Sequence, residues 1–410
     1  MSLFISKKAR SISPSPTLAI DSKYKKMKKD GIPVVGFGAG EPDFDTPENI
    51  KQAGIEAINN NFTRYTPASG TLELKQAICD KLKRDAGLEY TTGNIIVSNG
   101  GKHALTNIFM CICDPGDEVI IPAPYWVSYP EMVKMADGVP TFIETTEEAG
   151  FKFTAKQLED AITDKTRALV LNSPSNPTGM VYTKAELEEI AKVCVEHNIY
   201  VIFDEIYEKL IYEGEHVNIA TLGEDIKKLT FIVNGMAKAY CMTGWRIGYV
   251  AAEKELVKAM ANMQSNATSN PNSIAQYASV EALNGDQSTI DVMKAEYVKR
   301  RDYMVERINS IDGLSCLNPH GAFYIFMNVK GALGKEHYGK MINTADELCV
   351  DMLDRALVAM VPSEGFGIEG YVRLSYATSM ETIKEGLDRI EKYLKGEYSQ
   401  VKFSDNTLEA

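Results

Sequence analysis

From about Thr91 to Val250 the chain alternates short apolar runs with helical patterns, and polar, reactive residues gather where the runs end. The runs are Asn94–Ser98, Glu118–Pro122, Arg167–Leu171, Ile199–Phe203 and Thr230–Asn234. Each is short, rich in Val and Ile, and apolar at neighbouring positions, as expected of strands covered on both faces. Between two of them Thr183 and Glu186 fit a capping box, and Leu187, Ile190, Ala191 and Cys194 form one apolar face of the helix that follows. Strands alternating with such helices predict a mainly parallel sheet packed between helices. In open sheets of that kind, ligands collect at the carboxyl ends of the strands. Here those ends read SNGGK, APYW, NSPSNPTG, DEIY and NGMAKAYCMTGWRIG.

After Leu283 the pattern changes. Ser288 to Ile311 forms one long amphipathic helix without Pro or Gly, a bridge between domains. Shorter strand patterns follow (AFYIFMNV and GYVRLSYA), then a polar terminal helix from about Glu381. A chain of 410 residues exceeds what one core sustains. The expected division is a large α/β ligand-binding domain over residues 46–290. A smaller α/β domain is expected from residues 1–45 together with 291–410. The tail SDNTLEA is expected to be disordered.

Charge and cysteine usage exclude several classes. The net charge of −12 would repel a phosphate backbone, so no nucleic-acid partner is expected. The basic run Lys23–Lys29 reads as a solvated helix face. Seven scattered cysteines without a C-x-x-C pair do not form a disulfide framework, and residues 1–20 lack the apolar core of a signal peptide. A cytoplasmic protein without membrane segments follows. The five histidines lack metal-ligand spacing, and no metal is expected.

Taken singly, the strand-end residues are ambiguous. Gly100 and Gly101 open a helix whose first N–H groups suit a phosphate, but a tight turn fits the same pair. Asp204 closes an apolar strand, where a carboxylate needs a partner or solvent; a helix N-cap is the plainer alternative. Lys238 follows the last strand, and lone lysines there usually point into solvent. Together they supply a glycine pair, an aromatic, an amide, an acid with a phenol, and a lysine followed by an arginine, all available to one ligand.

The segments SPSPTLAI, GAGEPDFDTP, RYTPASG, SNGGKHAL, APYWVSYPEM, NSPSNPTG, FDEIYE, MAKAYCMTGWRIGY and VRLSYATS carry a resemblance over nearly the whole chain. The sequence resembles a class I aminotransferase of the fold-type I pyridoxal-phosphate family, close to bacterial aspartate aminotransferases. The resemblance implies pyridoxal 5'-phosphate as cofactor, with Lys238 bonded to it and moving protons during transfer. It implies that Asp204 keeps the pyridine nitrogen protonated and that Tyr207 and Asn176 bond the phenolic oxygen. Trp126 would stack on the ring, while Arg246 and the amides of Gly100, Gly101 and Lys102 would hold the phosphate. Arg373 would grip the substrate α-carboxylate near Gly40, with Trp126 and Asn176 also lining the substrate. Tyr65 would reach the phosphate of a neighbouring subunit, which implies a homodimer with shared sites. One departure concerns the position three before the lysine, where many relatives carry a phosphate-binding hydroxyl and this chain has Gly235.

Within that resemblance the amino donor is set by few residues. Lys102 stands where the subgroup contacts a distal carboxylate, which favours aspartate or glutamate as donor and a 2-oxo acid such as 2-oxoglutarate as acceptor. A surface lysine at a helix start is the plainer reading of Lys102, and Thr17 is a possible polar helper. Relatives that accept prephenate carry a basic residue before the N-terminal PS element, where this chain has Ser13. Aromatic or alanine transamination and a C–S lyase on the same fold are the alternative activities. A regulator with a DNA-binding domain is the non-enzyme alternative, against which the short N-terminal arm speaks.

Overall fold

The structure is a computed structural model, and it describes residues 4–13 and 16–398. The side chain of Thr17 and the tail SDNTLEA lie outside what is described. The described residues divide into two compact units: residues 4–13, 41–298 and 319–323 form the first, and residues 16–40, 299–318 and 324–398 the second.

The first unit is built on a seven-stranded sheet. Its strands in chain order are β1 (Ile95–Ser98), β2 (Glu118–Ala123), β3 (Val139–Glu144), β4 (Thr166–Asn172), β5 (Tyr200–Asp204), β6 (Thr230–Gly235) and β7 (Gly248–Ala251). Their spatial order is β1-β7-β6-β5-β4-β2-β3. All neighbours run parallel except β7, which is antiparallel to both β1 and β6. The five apolar runs of the sequence are therefore strands, in a mainly parallel sheet as expected. Two strands escaped the sequence reading. β3 is an edge strand with Val139 and Phe142 exposed, so its apolar content is diluted. β7 is only four residues long and sits directly after the lysine-bearing segment.

The two-residue period of the strands sorts their side chains between faces. Ile202 packs in a cluster with Ile96, Val119, Val170, Phe231 and Val250. Val201 and Phe203 join another with Ile120, Leu169, Leu187 and Ile190. The helix over Lys184–Glu196 begins with the capping box Thr183/Glu186, and its Leu187, Ile190, Ala191 and Cys194 are buried. Because both faces are covered, a reactive side chain in this sheet must sit at a strand end or just beyond it, where the covering elements leave room for a ligand.

The second unit contains a four-stranded antiparallel sheet in the order Val361–Pro362, Tyr371–Ser375, Tyr324–Asn328, Ser315–Cys316. A short parallel pair joins Val35–Gly36 to Val358–Ala359. Helix Ala345–Ala356 starts on a capping box, Thr344 with Glu347, and helix Met380–Leu394 starts on Ser379. The basic run lies in helix Pro16–Lys29, where Lys25, Lys26, Lys28 and Lys29 are exposed. The long helix runs from Ser288 to Asn309, and the division between units falls within it. No helix among the described residues is long and apolar enough to cross a membrane.

Candidate active site

Strand β5 ends on Asp204, which is buried at 5% exposure. Its Oδ2 accepts the Tyr129 hydroxyl at 2.7 Å and its Oδ1 accepts the Ile206 N–H at 3.2 Å. Burial pushes the carboxyl up to about 6; the Tyr129 hydrogen bond, the Ile206 N–H and the Lys238 charge pull the other way, while Glu205 adds repulsion. A buried acid with two donors and no fully compensating cation is poised to accept a positive partner.

Lys238 lies on the loop that follows β6, with its ammonium 5.8 Å from the Tyr207 ring centroid and 5.7 Å from that of Phe323. The two rings meet edge to face at 5.4 Å, and Tyr207 is buried. Phe323 was not visible as a site residue in the sequence, because it is distant along the chain and lies in an ordinary apolar run. Gly235, three residues before the lysine, has a steric reason: a Cβ there would meet the Ile247 carbonyl oxygen at 2.7 Å. Cys241 follows with its Sγ 3.6 Å from Met293 Sδ, and burial lifts its thiol to about 12.

The glycine pair opens the helix that follows β1, here α1 (Gly101–Ile112), with Gly100 as its cap at φ +83°. A Cβ on Gly100 would lie 2.5 Å from Arg246 Nη2, so the guanidinium rests directly on the helix entrance. Arg246 itself has φ +60°, and its Nη1 donates to the Thr243 carbonyl at 2.9 Å. A guanidinium beside the first N–H groups of a helix is an arrangement that could hold an anion. The Lys102 ammonium stands 5.0 Å from the Trp126 ring centroid. Partial burial and then the Arg246 charge lower its pKa.

Trp126 meets Tyr129 edge to face at 5.3 Å, so contacts run from Lys102 through Trp126 and Tyr129 to Asp204. Asn176 is buried, and its N–H donates to Asn172 Oδ1, whose amide in turn donates to the Asp204 carbonyl. Tyr65 stands apart at 91% exposure. In the second unit Arg373 is buried on its strand, 4.5 Å from the Tyr324 ring centroid and 5.3 Å from that of Phe366. Its Nη2 donates to the Gly38 carbonyl at 3.1 Å. A Cβ on Gly40 would have the Tyr324 hydroxyl 3.7 Å away.

Glu205, Glu208 and His216 form a group whose ligand atoms lie within 4.8 Å of one another. The ammonium of Lys81 stands 2.5 Å from Glu208 and 3.9 Å from Glu205, supplying a cation from the chain itself.

A lysine amine, a buried acid and a basic helix entrance gathered at the strand ends of a mainly parallel sheet define an α/β enzyme that handles an anionic group. The particular class follows from comparison. Residues 32–390 match the family model described as aminotransferase class I and II, and the chain belongs to that family. It is 48% identical over 396 residues to an aspartate aminotransferase of Bacillus sp. (strain YM-2), spanning 96% of this chain and 100% of the relative. It is 47% identical to the aspartate/prephenate aminotransferase of Nitrosomonas europaea, over 95% of this chain and 99% of that one. Among solved structures, the aspartate aminotransferase from Rhizobium meliloti superposes with a TM-score of 0.93 at 45% identity, covering 97% of this chain and 100% of that chain.

Proposed function

We propose that this aminotransferase holds pyridoxal 5'-phosphate at Lys238 and transfers the amino group of aspartate or glutamate to a 2-oxo acid such as 2-oxoglutarate. The observation that carries the cofactor assignment is Asp204: a buried carboxylate with a hydroxyl and an N–H as its hydrogen-bond donors, disfavoured by burial, gains a counter-charge when a ring N–H⁺ pairs with it. The donor set fits the rest of the group. Arg246 and the first N–H groups of α1 suit a phosphate, and Trp126 offers a flat face beside them. When bound, pyridoxal phosphate supplies an electron sink for the pair left on the substrate α-carbon.

The chain's own residues do the remainder. The Lys238 amine would take the proton from the substrate α-carbon and deliver it to the cofactor carbon that the lysine had held. Asp204 holds positive charge at the ring nitrogen, and Asn176 with Tyr207 bonds the ring oxygen. Trp126 and Asn176 also line the substrate. Arg373 takes the α-carboxylate as a planar fork near Gly40, its guanidinium steadied between Tyr324 and Phe366. Lys102 meets the distal carboxylate of a dicarboxylic donor, because a charge excluded from water needs an opposite charge.

Tyr65 serves the phosphate of a second copy in a homodimer. Support comes from its own exposure and from exposed Ile55, Ile58, Phe62, Leu72 and Tyr277. The absence of a membrane-crossing helix among the described residues is consistent with a cytoplasmic enzyme.

Borohydride reduction followed by peptide mapping should place the pyridoxyl mass on the Lys238 peptide; label on another lysine refutes the assignment. A donor panel with 2-oxoglutarate tests the substrate class. Lys102→Ala should cut kcat/KM for aspartate about ten-fold, roughly 1.4 kcal/mol, and change phenylalanine or alanine little. A uniform loss across donors would place Lys102 on the phosphate instead. Prephenate belongs in the same panel as an acceptor, since the Nitrosomonas relative carries that name while this chain has Ser13 before its PS element.

A further inference from the structure

We infer that Tyr129 is a positioning residue for the transamination chemistry: its hydroxyl holds Asp204 charged and aimed, while its ring fixes the edge of Trp126. The inference rests on the cofactor reading above and assigns the side chain that governs the acid.

Tyr129 lies in the first turn of the helix Ser128–Met135, which follows β2. The ring is 2% exposed and packs in the core cluster that also holds Ile96, Val170 and Ile202. A hydroxyl carried on a ring locked in that way loses little rotamer freedom when it bonds. Its bond to Asp204 Oδ2 is 2.7 Å, a charge-assisted O–H···O⁻ contact between two buried groups. Oδ2 keeps further lone-pair capacity after accepting the hydroxyl, so the carboxylate can serve a cation and Tyr129 together. The same ring presents its edge to Trp126 at 5.3 Å and 86°. One side chain thus touches both the acid proposed for the ring nitrogen and the indole proposed for the ring face.

Besides the Ile206 N–H, the titratable groups that set the charge of Asp204 are Tyr129, Glu205 and Lys238, with Tyr207 acting on the Tyr129 hydroxyl. Of these, Tyr129 and Lys238 favour the carboxylate form, while Glu205 and burial oppose it. The Tyr129 phenol is itself raised well above its ordinary range, by burial first and then by the Asp204 charge, so it stays a donor at any working pH. Deleting the hydroxyl must therefore move the Asp204 midpoint upward.

The test uses Tyr129→Phe, which keeps the ring and its packing, in the full-length chain stripped of cofactor. The carboxyl stretch of protonated Asp204, assigned with Asp204→Asn, is followed by infrared titration. The midpoint should rise by about one pH unit relative to the unaltered chain. The dissociation constant for pyridoxal phosphate should then weaken about five-fold near pH 6, with the gap narrowing above pH 8, where both chains carry the carboxylate. In the reloaded enzyme, kcat for aspartate should fall with KM little changed. Tyr182→Phe, which removes a buried hydroxyl contacting the Phe153 N–H in another cluster, should leave the midpoint in place. An unmoved midpoint in Tyr129→Phe, or a cofactor gap independent of pH, overturns the inference. Failure of the unaltered chain to bind pyridoxal phosphate would instead refute the cofactor reading, a result the infrared titration does not depend on.

Discussion

Asp204 and Glu205 are consecutive, both acidic and both buried, yet the fold treats them in opposite ways. Asp204 accepts one hydroxyl and one N–H, and burial dominates, raising it to about 6. Glu205 is also penalised by burial, but the Lys81 charge and the His216 hydrogen bond outweigh that and hold it below the usual carboxylate range. His216 Nε2 lies 2.7 Å from Glu205 Oε2, and the Asn218 amide donates to the same oxygen at 2.8 Å. Asn234, on neighbouring β6, donates to Oε1 at 3.2 Å and accepts the Gly235 N–H at 2.7 Å. One acid is neutralised within the protein and ties the ends of β5 and β6 together. The other keeps capacity for a partner that arrives from outside. Local burial alone does not separate the structural acid from the functional one; the internal cation does.

The comparison breaks most visibly if the internal cation is removed. Lys81→Met leaves the buried Glu205 and the half-buried Glu208 without their ammonium, and losing one partner of a buried pair costs about 3–5 kcal/mol. Denaturant unfolding should show that loss; a change under 1 kcal/mol would mean that Glu205 is satisfied without Lys81.

Asp204→Asn should behave in the reverse sense. It removes charge where burial already disfavours it, so near neutral pH the unfolding midpoint should hold or rise. Turnover should fall about a hundred-fold, the scale for losing one preorganised electrostatic contact. Steady-state kinetics beside calorimetry separates the two effects, and equal turnover would remove Asp204 from the chemistry.

Arg373→Lys carries the contrast into the second unit, where a buried cation stacks on Tyr324. The charge survives but the planar fork is lost, so kcat/KM should drop by about one to two decades for every amino donor. A loss confined to aspartate would move the α-carboxylate anchor elsewhere.

The smallest effect concerns pH. Asp204 rises from 3.8 to about 6 on folding, so the native state binds more protons between those values. Its contribution to stability is fully present below 3.8 and falls by on the order of 2 kcal/mol between pH 4 and 6. Glu205, lowered from 4.5, works the other way: its contribution is present above that value and is lost as acid protonates it. In the cofactor-free chain the decline from pH 4 to 6 should therefore be shallower in Asp204→Asn; parallel curves would mean that the carboxyl is not raised.

Much of this was legible in the sequence because apolar runs bounded by polar ends are local signals. β1, β2, β4, β5 and β6 were readable in that way, as was the capping box at Thr183. The edge strand β3 and the short β7 were not, since one is half exposed and the other is too brief for a period to register. Tyr129 stood in plain view three residues after Trp126, a spacing that brings side chains together in a helical turn. Nothing local marked it as a partner of Asp204, 75 residues further on. Lys81 was hidden more completely, as an amphipathic-helix lysine that reads as solvent-facing but is 3% exposed.

The sequence by itself determined the alternation of strands and helices, the sheet's parallel character, and which residues stand at the strand ends. These follow from side-chain period, capping chemistry and chain order, which act over a few residues. Only the tertiary structure decided what those residues experience. Asp204 and Glu205 differ by a single methylene, and their opposite behaviour is set by Tyr129, Lys81, His216 and Asn234, brought in from other elements. Charge in a low-dielectric interior depends on partners within a few ångströms, and such distances exist only once the chain has packed.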